Sequence, residues 1–110
     1  MIDKREAFSK EDQQVANFAK ALSHPARLSI LRYLSEQNSC ICGDIVEVLP
    51  LAQSTVSQHL KELKQVGLIQ GYIEVNSSCY CIAPDQFELL KKILSAFTHE
   101  IEISNLMNCC

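Results

Sequence analysis

The sequence lacks several features that would assign it to a common class. It has no tryptophan, only three glycines and three prolines in 110 residues, and no apolar run near the roughly 20 residues of a membrane-spanning helix. With so few glycines there is no glycine-rich loop to cradle a phosphate. The charged start of the chain has no apolar segment of the kind found in signal peptides. We therefore expect a cytoplasmic protein with no membrane partner.

The chain also lacks the excess of basic residues that is common among nucleic-acid-binding proteins. Its formal net charge is −3, which mildly disfavours a nucleic-acid partner, although the local field around a binding helix matters more than the total. The length fits one domain. We expect that domain to span residues 1–110, with 1–10 and 104–110 as flexible tails.

One stretch, residues 54–67, organises the chain. Its apolar residues fall at i, i+4, i+7 and i+10, the spacing of a one-sided helix, and Gly67 is placed to end that helix in a left-handed conformation. The opposite face carries Ser, Thr, Gln and one His at the front, with lysines behind. This pattern is typical of a helix whose first turns read base edges while its lysines meet phosphates. The alternative is an ordinary solvated face.

The remaining pattern predicts a winged helix-turn-helix. The helix over 54–67 follows another by about three residues, which makes a helix-turn-helix, and two strands joined by a turn come next, as a wing does. The last helix has a broad apolar face that the first helix and a second subunit would cover. We predict a mostly α, α+β fold of order α-α-α-α-β-β-α, dimerising through its first and last helices. Predicted helices cover 11–22, 25–35, 43–49, 54–67 and 85–103, and predicted strands cover 68–75 and 79–83.

Two motifs carry a family resemblance. Residues 22–31, Leu-Ser-His-Pro-Ala-Arg-Leu-Ser-Ile-Leu, closely resemble the L-x-x-P-x-R-L-x-I-L signature of the ArsR-SmtB family of metal-responsive winged-helix repressors. Residues 53–63 and 66–69 resemble the reading helix of that family and its exit. The resemblance, which covers about 15–101, implies a dimeric repressor that binds a double-stranded DNA operator and is released by a metal or metalloid.

The same resemblance implies which residues meet DNA. Lysines after the first turns would contact phosphates, and Ala52 stands where the family often has a capping serine, so the start of the helix is less well capped. For His59 the alternative is a residue that packs on the neighbouring strand. The implied DNA-contacting residues are Gln53, Ser54, Thr55, Ser57, Gln58, His59, Lys61 and Lys64.

The six cysteines form three close pairs, and in a reducing compartment we expect thiols. Cys40 and Cys42 resemble the Cys-x-Cys-Asp site of arsenic- and cadmium-responsive members, although Gly43 is inserted before the aspartate. Residues i and i+2 of a helix project about 200° apart, so these thiolates share an ion only where the helix is unwound, which Gly43 eases. The resemblance implies a three-sulfur site for trivalent arsenic as inducer, with no obligatory cofactor. The possible third ligand is Cys109 or Cys110.

Other interpretations remain open at this stage. Cys79 and Cys81 are expected on one face of a strand. They could form a second site for a soft ion, or they could be packed thiols, which is the interpretation we favour. A second family layout, with Asp and His ligands on the last helix, meets Phe87 where a His is needed. Paired thiols would also suit a redox sensor. A winged-helix interaction module without DNA binding and a metal buffer are further alternatives, whereas no nucleophile signature favours an enzyme.

Overall fold

The computed structural model describes residues 4–37, 39–42, 49–73 and 78–106, apart from the side chains of residues 73, 105 and 106. These ranges hold four α-helices and a three-stranded antiparallel sheet, the mostly helical winged-helix fold that the sequence predicts. The predicted helix over 43–49 falls almost entirely outside the described residues. The elements are α1 Lys10–Ala21, α2 Pro25–Ser35, β1 Ile41–Cys42, α3 Gln53–Gln65, β2 Ile69–Ile73, β3 Ser78–Ile82 and α4 Pro84–Glu100, with 3₁₀ turns at Lys4–Ala7 and Ile103–Leu106.

The break between α1 and α2 lies where the sequence predicts it. His24 caps α2, because its Nδ1 accepts a hydrogen bond from the backbone N–H of Ala26 at 3.0 Å. Pro25 occupies the first turn, where its missing N–H costs nothing. The bounds of α2 match the predicted 25–35, and α1 begins and ends one residue earlier than predicted.

The two ends of α3 are built differently. Ala52 makes no side-chain capping bond at the start, which confirms the weak cap expected from its side chain. At the other end Gly67 has φ +82°, which confirms the left-handed ending. The N–H of Leu68 bonds to the carbonyl of Leu63, and that of Gly67 to Lys64, at 3.0 and 2.9 Å. These two hydrogen bonds end the helix, and the chain continues directly into β2.

The sheet has one more strand than the sequence predicts. Its order is β1-β3-β2, so the second strand of the wing is central and pairs with β1 on its free side. The predicted two-stranded hairpin is therefore incomplete. Two residues, Ile41 and Cys42, are too short a run to show a strand period. They are held by pairing, with Ile41 opposite Tyr80 and Cys42 opposite Cys79.

The core lies between α2, α3 and the inner face of the sheet. It includes Ile30, Leu63 and Tyr80, all almost completely buried, and it fixes α3 against α2 and β2. In contrast, α4 buries only Leu90 fully and packs on α1. Its end leaves Phe97 partly exposed. Within the described part of the chain no helix is both long and apolar enough to cross a membrane.

Candidate nucleic-acid interface and cysteine cluster

The polar face of α3 is open for most of its length. Its first residues and both lysines are exposed, and Ser57 is half-buried. The amide of Gln58 donates along the helix to Glu62 at 3.3 Å, so this side chain lies over the next turn. Seven of the eight residues implied by the resemblance thus share an accessible face. They are Gln53, Ser54, Thr55, Ser57, Gln58, Lys61 and Lys64.

The eighth, His59, lies in the interior. It is 8% exposed, and its Nδ1 lies 3.1 Å from Nη1 of Arg27. A guanidinium only donates hydrogen bonds, so Nδ1 of His59 must be the acceptor and carries no proton. The ring also lies against that of His24, with centroids 4.3 Å apart. The structure thus places His59 at the junction of α2 and α3, packed on another helix rather than on the strand that the alternative named.

Arg27 ties three elements together. Its Nε donates to the carbonyl of Ala21 at 2.7 Å, and Nη2 donates to the carbonyl of Lys20 and to Oγ of Ser23, both at 3.1 Å. With the bond to His59, the guanidinium joins the end of α1 and the start of α2 to α3. The sequence analysis assigns Arg27 only to the family motif of residues 22–31 and does not predict this role, because the contact with His59 depends on how α2 packs on α3.

Burial sets the protonation state of His59. Desolvation, followed by the neighbouring His24 and Arg27, lowers the pKa of His59 below its usual 6.5, while Glu62 opposes the shift. Burial disfavours the imidazolium, and a nearby cation does the same. The neutral ring agrees with the acceptor role of its Nδ1. This network holds α3 in place most firmly when His59 is neutral.

The second feature is a cluster of four cysteines: Cys79 and Cys81 on β3, Cys42 on the neighbouring β1, and Cys40 just before β1. Cys42 pairs with Cys79 and Cys40 with Cys81, each pair joined as a disulfide, with Cα atoms 4.1 and 4.5 Å apart. This overturns two expectations, that these four cysteines are free thiols and that Cys79 and Cys81 are merely packed. The physical reason is register, because β1 runs antiparallel to β3 with these positions opposite each other.

Strand geometry also places all four sulfurs on one face. Successive strand residues alternate between faces, so Cys40 and Cys42 project together on the side opposite to the buried Tyr80. Residues i and i+2 project about 200° apart only on a helix, so that argument against a shared ion does not apply to Cys40 and Cys42 here. The register pairs Gln70 with Cys81 and Tyr72 with Cys79. A repeated Cys-x-Cys has the period of a strand; the sequence analysis uses that period for Cys79 and Cys81 but places Cys40 and Cys42 at the start of a helix.

Hydrogen-bond donors lie beside two of the sulfurs. Nε2 of Gln70 donates to Sγ of Cys81 at 3.6 Å, and the hydroxyl of Tyr72 donates to Sγ of Cys79 at 3.5 Å. Both donors come from β2. Donors of this kind favour a thiolate over a thiol.

A cleft of about 820 Å³ opens beside the Cys40–Cys81 pair. Leucines of α2 and Phe87 form its apolar wall, and Arg32 and Lys91 bring positive charge to its rim. Lys91 is also bound to Glu88 at 3.2 Å. The cleft gives small molecules access to the sulfurs.

The predicted ion site is only partly described. Cys40 and Cys42 lie together as predicted, but the possible third ligands Cys109 and Cys110 fall outside the described residues. With four sulfurs paired as disulfides, the described ranges assemble no group of three or more free metal-ligating side chains. A thiolate site at Cys40 and Cys42 therefore requires reduction first.

An exposed polar face on α3, followed directly by the antiparallel strands β2 and β3, is the arrangement found in winged-helix regulators. The family described as "Bacterial regulatory protein, arsR family" matches residues 24–70. An uncharacterised helix-turn-helix transcriptional regulator of Methanocaldococcus jannaschii is 34% identical over 83 residues, 74% of this chain and 92% of that protein. The repressor SmtB of Mycobacterium tuberculosis is 34% identical over 80 residues, 73% of this chain and 57% of the repressor.

A solved structure agrees. The crystal structure of Mycobacterium tuberculosis Rv0081 matches with a TM-score of 0.59 and 32% identity, covering 84% of this chain and 97% of that one. The chain belongs to the ArsR-SmtB family of winged helix-turn-helix transcriptional regulators. Its relatives are regulators and repressors, so it is a transcriptional regulator and not an enzyme. DNA is the partner that this family implies.

Proposed function

We propose that this regulator is a homodimeric repressor that releases its operator when a thiophilic ion, trivalent arsenic above all, binds thiolates that include Cys40 and Cys42. It would act in the cytoplasm, where the reducing conditions would convert the two disulfides to thiols. The exposed face of α3 would read the operator, with Lys61 and Lys64 on phosphates. His59 would then position α3 through Arg27 rather than contact a base.

The observation that carries this proposal is the position of the Cys40–Cys42 pair in the fold. β1 pairs with β3, and β3 pairs with β2, the strand that leaves α3. An ion at these sulfurs therefore acts on the wing and, through β2, on the end of the reading helix. Thiolates are soft ligands and select soft ions. If the ion binds the DNA-free conformation more tightly, DNA affinity falls by the same coupling factor.

The test is a titration of the fully reduced protein with arsenite while its binding to a selected operator duplex is followed by fluorescence anisotropy. We expect wild type to release the duplex and Cys40→Ser/Cys42→Ser to keep it. A second variant, Cys109→Ser/Cys110→Ser, removes the two candidates for the third ligand, and its response to arsenite shows whether either of them is that ligand. If the wild-type protein still binds its operator at saturating arsenite, the proposal of arsenic sensing is wrong. The assignment as a repressor would be unaffected by that result.

A second candidate is a redox sensor, and the two cross-strand disulfides favour it. A hydroperoxide would oxidise two thiols to one disulfide, releasing one water and one alcohol, or two waters for hydrogen peroxide. We expect peroxide to release the operator from reduced protein and dithiothreitol to restore binding. Unchanged DNA affinity in the doubly oxidised protein would reject this candidate.

A further inference from the structure

We propose that Cys40, Cys42, Cys79 and Cys81, once reduced, form a single thiolate site within one chain, taking one soft ion with three sulfurs for trivalent arsenic or four for Cd²⁺. This assignment rests on the proposed function for the class of ligand. It changes the ligand set, because the wing strand β3 supplies the remaining sulfurs in place of the C-terminal cysteines.

The first support is the convergence of the four positions. The cross-strand pairs have Cα atoms 4.1 and 4.5 Å apart, and positions i and i+2 of a strand lie about 7 Å apart. In a tetrahedral zinc site, with metal–sulfur bonds of about 2.3 Å, the sulfurs are about 3.8 Å from one another, and the larger Cd²⁺ needs a slightly wider spacing. Sulfurs already close enough to bond across the strands reach that spacing by side-chain rotation toward the centre of the cluster.

The second support is the surroundings of the sulfurs. Tyr72 and Gln70 donate to Sγ of Cys79 and Cys81, so the wing sulfurs already have the hydrogen-bonding partners that orient metal ligands. Arg32, on the rim of the neighbouring cleft, favours negatively charged sulfur, whereas the charge of Lys91 is paired with that of Glu88. The cleft is also a path by which an ion reaches Cys40 and Cys81.

The site forms in two steps, reduction of the two disulfides and then binding of the ion. Two molecules of a dithiol such as dithiothreitol supply the four electrons and four protons that convert two disulfides to four thiols, and each is oxidised to a cyclic disulfide. Arsenous acid then exchanges three As–O bonds for three As–S bonds and releases three waters, with no change of oxidation state. Cd²⁺ takes four thiolates and releases four protons. Disulfide formation and ion binding therefore exclude each other.

The direct test is protection of the cysteines from alkylation in the full chain. Reduced protein is freed of reductant without oxygen, given one equivalent of Cd²⁺ or arsenite, labelled with N-ethylmaleimide, and read at each cysteine by peptide mass spectrometry. We expect Cd²⁺ to protect all four cluster cysteines and arsenite to protect three of them. Cys109 and Cys110 should label as they do without ion. The assignment would be overturned if Cys109 or Cys110 were protected together with Cys40 and Cys42. In that outcome Cys79 and Cys81 would label freely.

Variants add a second readout, the ion affinity measured by competition with a chromophoric chelator. Cys79→Ser/Cys81→Ser should abolish tight binding, whereas Cys109→Ser/Cys110→Ser should keep it. A double cysteine change can disturb the wing, so we add a milder variant. Tyr72→Phe removes only the hydroxyl that donates to Cys79, and it should weaken ion binding about tenfold. Wild-type affinity in the wing double variant would refute the site.

The outcomes separate this inference from the proposed function. If the four cysteines are protected but arsenite leaves DNA binding unchanged, the site stands and the sensing function fails. If arsenite releases DNA but protection falls on Cys109 or Cys110, the sensing function stands and the site fails. Absorption spectroscopy at the arsenic edge should count three sulfur neighbours if the site is as assigned.

Discussion

At the scale of single residues, His59 shows how burial changes a role. The sequence places it among groove-contacting residues, and its position on the reading helix is right. The structure brings Arg27 and His24 to the ring from α2 and from its cap. No local pattern reveals a contact across 32 positions of the chain, because such contacts depend on how helices pack rather than on the order of residues.

The first prediction concerns the pH dependence of stability. The folded protein holds the pKa of His59 below 6.5, so in this pH range the unfolded chain binds a proton more readily than the folded one. The stabilisation is therefore present above pH 6.5 and is lost as the pH falls through the folded pKa. We expect the free energy of unfolding, measured in urea, to fall from pH 7.5 to pH 5.

His59→Gln removes the titrating ring and should flatten part of that slope. The comparison is the difference between wild type and variant at each pH, since carboxylates contribute to both curves. Parallel curves across the whole range would show that His59 does not titrate with folding. Titration of the His59 ring by NMR gives an independent check on the direction of its pKa shift.

At the scale of elements, the sequence predicts the ends of a helix where a residue with a known preference for helix ends marks them. Pro25 and the polar segment after Ser35 bound α2 correctly, and Gly67 ends α3 where expected. The predicted last helix runs three residues past Glu100, because Ile101 continues the apolar pattern although the helix has ended. β1 was missed because two residues have no period, and only pairing with β3 makes them a strand.

The second prediction concerns Gly71 in the wing. Its φ of +116° is one that L side chains rarely adopt, and an added Cβ would collide with the carbonyl oxygen of Cys79 on β3. We expect Gly71→Ala to lower the free energy of unfolding by ~1–3 kcal/mol in reduced protein. Gln70→Ala, on the same strand and exposed, should change it by less than about 0.5 kcal/mol. Equal effects of the two changes in urea unfolding would contradict this account of the strand.

The third prediction concerns α3 on DNA. Each lysine that neutralises a phosphate releases counterions, so Lys64→Ala should lower the slope of log affinity against log salt by about one for each half-site bound. The loss should be similar for specific and unrelated duplexes. Lys10→Ala, at the start of α1, is the control with the same loss of charge. If both variants leave the slope unchanged, α3 does not carry the phosphate contacts.

At the scale of the whole molecule, the exposed large apolar side chains other than Tyr72 lie toward the two ends of the described part of the chain. Phe8 is 64% exposed, Phe97 40%, Ile101 53% and Ile103 70%. Phe97, Ile101 and Ile103 follow one another closely in the sequence, and a group of exposed apolar side chains of this kind favours an association surface. The sequence identified the breadth of the face on α4, but it could not show how much of it α1 covers, because that depends on tertiary packing.

The fourth prediction concerns the assembly that buries this surface. We expect sedimentation equilibrium of the reduced protein to give twice the chain mass of 12.4 kDa. Phe97→Glu should shift the protein toward the monomer and weaken operator binding, because two reading helices must bind together. Lys92→Glu changes charge elsewhere on α4 and should stay dimeric. A wild-type monomer at micromolar concentration would contradict the dimeric repressor.

The most direct test of the central claim is the thermodynamic coupling between ion and operator in the reduced protein. Arsenite affinity is measured for the free protein and for the protein saturated with operator, and operator affinity is measured with and without arsenite. We predict that the free protein binds arsenite more tightly than the operator-bound protein, by the same factor that separates the two operator affinities. Equal arsenite affinities with and without operator would contradict it, because an ion that does not distinguish the two states cannot release the DNA.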